Sequence, residues 1–131
     1  MAVLNSARFD FAEVVEKMLQ DYGYEVFDEV FEGLNEVSKE TVSKLKKESA
    51  AKFGRGKYSQ GWMRTVEKGR LKAYAVVHGN KNTYPLAHLL EKGHAMRTGG
   101  RVAGRIHIEP VNEWAQNEAL DRIVSKLEGR L

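Results

Sequence analysis

Apolar residues recur at spacings of three and four along the first third of the chain. Phe11, Val14, Val15, Met18, Leu19, Tyr22, Val26, Phe27, Val30, Leu34, Val37, Thr41, Val42 and Leu45 fall on one stripe, which predicts helix over 10–53. Asp10 and Glu13 form a D-x-x-E start signal, with Ser6 as an alternative cap. Gly54 follows as a stop residue, and Lys44, Lys46, Lys47 and Lys52 suit the negative end of the helix dipole. Unbroken, such a helix would be about 65 Å long. A domain of this size has a radius of gyration of about 14 Å. Either the helix breaks, at Gly23 or Gly33, or part of it projects and is covered by another chain.

The period then changes. Residues 60–67 and 70–78 read as two strands joined at Lys68-Gly69 in an antiparallel hairpin. In the second strand Leu71, Ala73, Ala75 and Val77 share an apolar face that should meet the helix; Lys72, Tyr74, Val76 and His78 share the other. After the turn residues of 79–83, Tyr84–Lys92 reads as a short helix with Pro85 in its first turn and Leu86, Leu89 and Leu90 as its buried face. A basic, glycine-rich loop is expected over 93–105, then a strand over 105–109. A helix over 110–129 should follow, with Val111, Trp114, Ala115, Leu120, Ile123, Val124 and Leu127 on its apolar stripe. Residues 1–9 read as a loosely held terminus. The elements sum to one α+β domain spanning 1–131. A small antiparallel sheet is covered on one face by the long N-terminal helix and the C-terminal helix.

Composition narrows the chemistry. The 131 residues, 42% hydrophobic, suffice for a core without metal or disulfide support. The absence of cysteine removes disulfides and Cys-based zinc sites. No run of about 18 apolar residues suggests a membrane span, and the first residues lack the signal-peptide pattern. The net charge of +3 hides a split. Residues 8–40 hold ten acids against three bases, and residues 44–72 ten bases against two acids. That asymmetry fits a basic face toward nucleic acid, a head-to-tail contact between copies, or two solvated surfaces.

The candidate sites are few. His88, Glu91 and His94 approach a metal-ligand set, but H-E-x-x-H is missing and His94 lies beyond Gly93. A hydrogen bond from Glu91 to His88, or to backbone at the loop mouth, is the plainer reading. No G-x-S-x-G elbow or clustered carboxylates point to hydrolysis. The GRGKYS stretch at 54–59 lacks P-loop spacing. Arg55, Lys57, Arg64, Lys68, Arg70 and Lys72, with Tyr58, Trp62 and Tyr74 among them, make the hairpin a candidate for non-specific nucleic-acid contact. Trp62 and Trp114 belong to a core or to a subunit interface. The 93–105 loop has four glycines, three arginines and few apolar residues. It cannot by itself offset an ordering cost of about 1–2 kcal/mol per residue, so it should be mobile in the free chain and order on a partner.

GKYSQGW at 56–62, YPLAHLLEKGH at 84–94, GGRV at 99–102 and HIEP at 107–110 together resemble a family of small siphophage structural proteins. These are tail-component, minor capsid and head–tail neck proteins, close to tail-completion proteins. The resemblance runs from about Gly56 to the C-terminus. It implies a ring-forming component of the virion neck, made in the host cytoplasm, joining the portal-side connector to the tail. Its partners would be copies of itself, the neighbouring connector and tail proteins, and DNA passing non-specifically through the channel. It implies no catalytic residue, no cofactor and no metal. A Glu and a Gly-His pair after two leucines would act as a loop anchor. Assembly is expected to rest on Trp62, Tyr84, Glu91, His94, Arg97, Arg101, Arg105 and His107.

Overall fold

The long apolar stripe is interrupted at Gly23, whose φ of 79° is a left-handed conformation that costs glycine little. Helix α1 (Ala12–Tyr22) ends there, a single 3-10 turn (Tyr24–Val26) changes direction, and α2 (Phe27–Phe53) runs on for 27 residues. Gly33, the other expected break, is instead a point of close approach inside α2. A Cβ there would lie 2.6 Å from Cγ1 of Ile123. The chain is seen in a computed structural model that describes residues 8–70 and 72–130.

Residues 8 and 9, expected to be loose, belong to strand β1 (Arg8–Asp10), and Phe9 is 1% exposed; residues 1–7 of that segment lie outside the described residues. The Asp10 carboxylate accepts the Ala12 N–H at 3.0 Å just ahead of α1, but the helix is capped one residue later than its sequence signal suggests, at Phe11, which has no capping side chain. After α2 comes one turn of helix, α3 (Lys57–Gln60). Strands β2 (Trp62–Gly69) and β3 (Lys72–Gly79) form the expected hairpin with its turn shifted by two residues. Sheet order is β1-β3-β2, antiparallel throughout, with Phe9 opposite Val77 and Val66 opposite Ala75. Leu71, expected on the inner face, lies outside the described residues.

Ala75 and Val77 of β3, Phe9 and Trp62 turn toward α2, and the second layer is completed by α5 (Glu109–Arg130) lying along α2. Val30, Leu34, Val37 and Leu45 from α2 meet Val111, Ala115, Ala119, Ile123 and Leu127 from α5 in one continuous core. Trp114, Leu120 and Val124, on the expected α5 stripe, are only partly buried against it. The helix continues through Gly129, where a stop was expected. The rim of this pair is charged. Lys126 reaches Glu32 at 2.9 Å and Glu36 at 2.7 Å, while Arg122 joins Glu36, Glu40 and Glu118. Three of the ten acids of residues 8–40 are thus paired with α5 within the chain. The opposite face of the sheet is polar: Arg8 donates to the Tyr74 hydroxyl at 2.8 Å, and Thr65 pairs with His78 at 3.0 Å. The α+β architecture, with helices over one sheet face, is as the hydrophobic pattern predicts.

Three local expectations are overturned. Helix α4 (Tyr84–Lys92) forms as expected, but it buries Ala87 and Glu91, leaving Leu86 and Leu89 46% and 39% exposed. Residues 93–105 are not an irregular loop. They contain a second hairpin, β4 (Gly93–Ala95) with β5 (Arg101–Ala103), paired antiparallel. Residues 105–109 are not a strand, because the N–H groups of 107 to 109 are taken by a side chain.

Candidate assembly surface

A helix leaves its first backbone N–H groups without internal partners. The start of α5 lacks a Ser, Thr, Asp or Asn to supply one; Ile108 stands there. Glu91 fills that role from the inner face of α4. Its Oε1 accepts from the N–H of His107 at 2.7 Å and of Ile108 at 2.9 Å, and its Oε2 from Glu109 at 3.0 Å. The His107 ring adds a fourth contact, Nδ1 to Oε1 at 2.9 Å. Burial alone would raise the Glu91 pKa. The hydrogen bonds from the His107 ring and the three backbone N–H groups outweigh it and hold the carboxyl down at about 2. At neutral pH Glu91 is therefore an ionised, fully partnered group that ties α4 to the entry of α5.

His107 extends the network. Its Nδ1 faces two acceptors, Glu91 and the Arg105 carbonyl at 2.7 Å, so it carries a proton. Nε2 lies 2.5 Å from the Tyr58 hydroxyl. Burial, followed by the Glu91 charge, raises the Tyr58 pKa and keeps the phenol protonated, able to donate to the imidazole. Phe53, at the end of α2, packs edge-on against both rings, with centroids 4.9 Å from His107 and 5.6 Å from Tyr58. Arg105 stacks over Phe53 and donates to the Lys52 carbonyl, one of the last acceptors of α2. Three helix ends thus meet at one buried cluster.

The β4–β5 hairpin grows from this cluster. At its base Gly93, with φ 83°, and Gly104 cross so closely that neither tolerates a side chain. A Cβ on Gly93 would lie 2.7 Å from the Gly104 nitrogen, and one on Gly104 would meet the carbonyl of Glu91. Arg105 N–H to the Leu90 carbonyl, 2.8 Å, and Arg101 Nη2 to the Lys92 carbonyl, 3.0 Å, fix its direction. The tip closes with Met96 N–H to the Gly100 carbonyl at 3.0 Å. Residues 95–103 are exposed throughout. The arrangement is an open arm on a rigid base.

The expected assembly residues divide accordingly. Trp62 is 3% exposed and donates from Nε1 to the Ser49 hydroxyl at 2.8 Å, so it belongs to the core. Glu91 and His107 are 2% and 1% exposed and act as the anchor; neither can touch a partner. Arg105 is exposed but spent on α2. His94 is half-buried, with no hydrogen-bond partner for Nδ1. Tyr84, Arg97 and Arg101 remain on the outside. Glu91 bonds to backbone and His107, and His88 beside it on α4 is exposed. Among the described residues no three His, Asp or Glu side chains converge as metal ligands, and no helix is long and apolar enough to cross a membrane. On the basic hairpin, Arg64 is held by Asn35 and Ser38, and Lys68 by Asp28 at 3.0 Å.

Sequence reasoning passed over Phe53 and Tyr58 as anchor residues, and it placed Leu86 and Leu89 inside. Among the described residues nine large hydrophobic side chains are exposed, and six of them fall within 84–106: Tyr84, Leu86, Leu89, Met96, Val102 and Ile106. Such concentration marks an interaction surface more often than chance exposure does. Comparison with known protein families, with curated proteins and with solved structures gave no match to the chain.

Proposed function

We propose that the chain is a structural virion protein of a tailed phage, a ring-forming part of the neck between the portal-side connector and the tail. The observation that carries the assembly role is the exposed, apolar and arginine-bearing arm of 84–106, held on a fully buried ionic anchor. The family resemblance of 56–62, 84–94, 99–102 and 107–110 supplies the phage context. The groups that resemble catalytic ones, Glu91, His107 and Tyr58, are occupied with holding backbone, which supports a structural role over an enzymatic one. Its partners are then copies of itself and the neighbouring neck and tail proteins, with DNA in the channel and no cofactor.

Sedimentation velocity over a concentration series tests this reading, because mass action makes a ring concentration-dependent. A discrete larger species should grow with concentration. The double variant Arg97→Ala/Arg101→Ala should lose it while melting within about 3 °C of wild type, since exposed groups contribute about 1 kcal/mol or less. A wild-type chain that stays monomeric at every concentration refutes the ring. A second reading, non-specific nucleic-acid binding, is favoured by Lys46, Lys47 and Arg55 around one shallow depression at the end of α2. It requires DNA affinity that falls steeply with salt.

A further inference from the structure

The outer face of α2 changes character halfway along. Glu32, Glu36 and Glu40 are paired with Lys126 and Arg122, and beyond them bases take over. Residues 39–57 hold seven bases against two acids, and one of those acids is the paired Glu40. Lys39, Ser43, Lys46, Lys47 and Ala50 recur at spacings of three and four and so share one helical face. Thr41, Leu45 and Ser49, on the other side, are buried. Among the described residues none of Lys39, Lys46, Lys47 and Arg55 is paired with an acid.

Two shallow depressions follow this face and share Lys47. One is bordered by Lys39, Glu40, Ser43, Lys44 and Trp114, the other by Lys46, Ala50, Arg55 and Gln60. Trp114 packs partly against the core, and Lys44 lies over its ring, 4.7 Å from the centroid, so the indole is closed to a stacking base. Among the described residues no exposed large hydrophobic side chain falls between 25 and 62. A protein partner brings apolar and aromatic anchors to the middle of a contact, and this face offers them lysine and serine. Interfaces with nucleic acid are polar and strongly positive. A single strand needs exposed aromatic platforms for its bases. A stacked duplex presents phosphates, one charge per about 1.7 Å of its axis.

We propose that this face binds the sugar–phosphate backbone of double-stranded DNA without regard to sequence. Lys39, Lys46, Lys47 and Arg55 meet phosphates along about 20 Å, the length of about six base pairs. The β2–β3 hairpin is not part of the site. Arg64 is bonded to Asn35 and Ser38, and Lys68 is held beside Asp28 and Phe31 at the opposite end of α2. The inference rests on the nucleic-acid reading above and adds the form of nucleic acid and the residues that hold it; it does not depend on the ring.

Fluorescence anisotropy with labelled DNA duplexes of two unrelated sequences, over salt from about 50 to 200 mM, tests it. Both duplexes should bind alike, and log affinity should fall against log salt with a slope of about −4, nearly one for each phosphate contacted. Lys46→Ala/Lys47→Ala/Arg55→Ala should weaken binding at least about tenfold at about 50 mM salt and flatten the slope by about 2 to 3. Alanine suits the helix at 46 and 47, so circular dichroism and melting should not change; Lys39→Ala/Lys47→Ala is the second variant if the first melts early. Arg70→Ala/Lys72→Ala, exposed bases at the hairpin turn, is the control and should bind like wild type. Binding that survives the α2 variants, or that falls as far in the hairpin control, overturns the site and leaves the nucleic-acid reading standing. Tighter binding of a single strand than of the duplex of the same length overturns the choice of the duplex backbone. A wild-type chain with no salt-sensitive binding to either form removes the nucleic-acid reading and this inference together, whatever sedimentation shows of the ring.

Discussion

Replacing Glu91 by Gln changes one buried carboxylate to an amide of nearly the same shape. The carboxylate offers two acceptor oxygens to three backbone N–H groups and one ring N–H. The amide offers one oxygen, and its NH2 is turned toward a donor. The carboxyl titrates near 2 in the folded chain against an ordinary value of 4.5, a separation equivalent to about 3 kcal/mol at neutral pH. Losing a charge-assisted bond and leaving a buried donor unpaired gives a cost of about the same size. With an unfolding entropy of about 2 cal/mol/K per residue, that loss should lower the melting temperature by about 10 °C. The pH dependence has a definite sign. A carboxylate whose folded pKa is depressed stabilises fully above its unfolded value, and that contribution disappears as pH falls from about 4.5 toward about 2. Glu36 and Glu40 are also held down, chiefly by hydrogen bonds to Lys126 and Arg122, so both proteins lose stability in acid. The difference between them isolates Glu91. Urea titrations at several pH values between 7 and 2.5 should show the gap between wild type and Glu91→Gln narrowing as pH falls. A gap below about 1 kcal/mol at pH 7, or one that is constant with pH, would refute the anchoring role.

Gly33→Ala should destabilise the chain by about 1–3 kcal/mol despite alanine's better helix propensity, because the new Cβ collides with Ile123, which is 0% exposed. Adding Ile123→Ala to Gly33→Ala tests the cause: the double variant should fall short of the sum of the single losses in chemical denaturation. Trp62→Phe removes the donor to Ser49 and leaves a buried hydroxyl, for a loss of about 1–3 kcal/mol. Trp62→Phe/Ser49→Ala should recover part of it, and an additive double variant would show that the bond contributes little.

The long helices were legible because burial and period coincide. Val30, Leu34 and Val37 face the core in the order their spacing dictates. Helix α4 was misread for a related reason. Period says which residues share a face, but not which face has a neighbour. Both Leu86 with Leu89 and Ala87 with Glu91 are helical pairs, and the second is buried because an acid there meets three N–H groups from residues 107 to 109. A trace of that was present in the sequence. The start of α5 at Glu109-Pro110 has no capping side chain of its own, so the donors had to be satisfied from elsewhere. The hairpin at 93–103 was hidden because its strands are three residues long and its side chains exposed, leaving no hydrophobic alternation to read. The fate of the charge split was hidden too. Glu32, Glu36 and Glu40 look like a free acidic face until α5 brings Arg122 and Lys126 beside them.

That pairing of α2 with α5 also bears on how the chain is made. The partners of α2 on α5 lie 82 to 94 positions further along. At a synthesis rate of about 5–20 residues per second, the stripe of Val30, Leu34 and Val37 emerges roughly 4–19 s before the surface that covers it. The first helix pair must wait, apolar side out, beside a ribosome and its neighbours. Its Glu- and Lys-rich outer faces then do a second job: they keep a half-made chain soluble until the closing helix arrives.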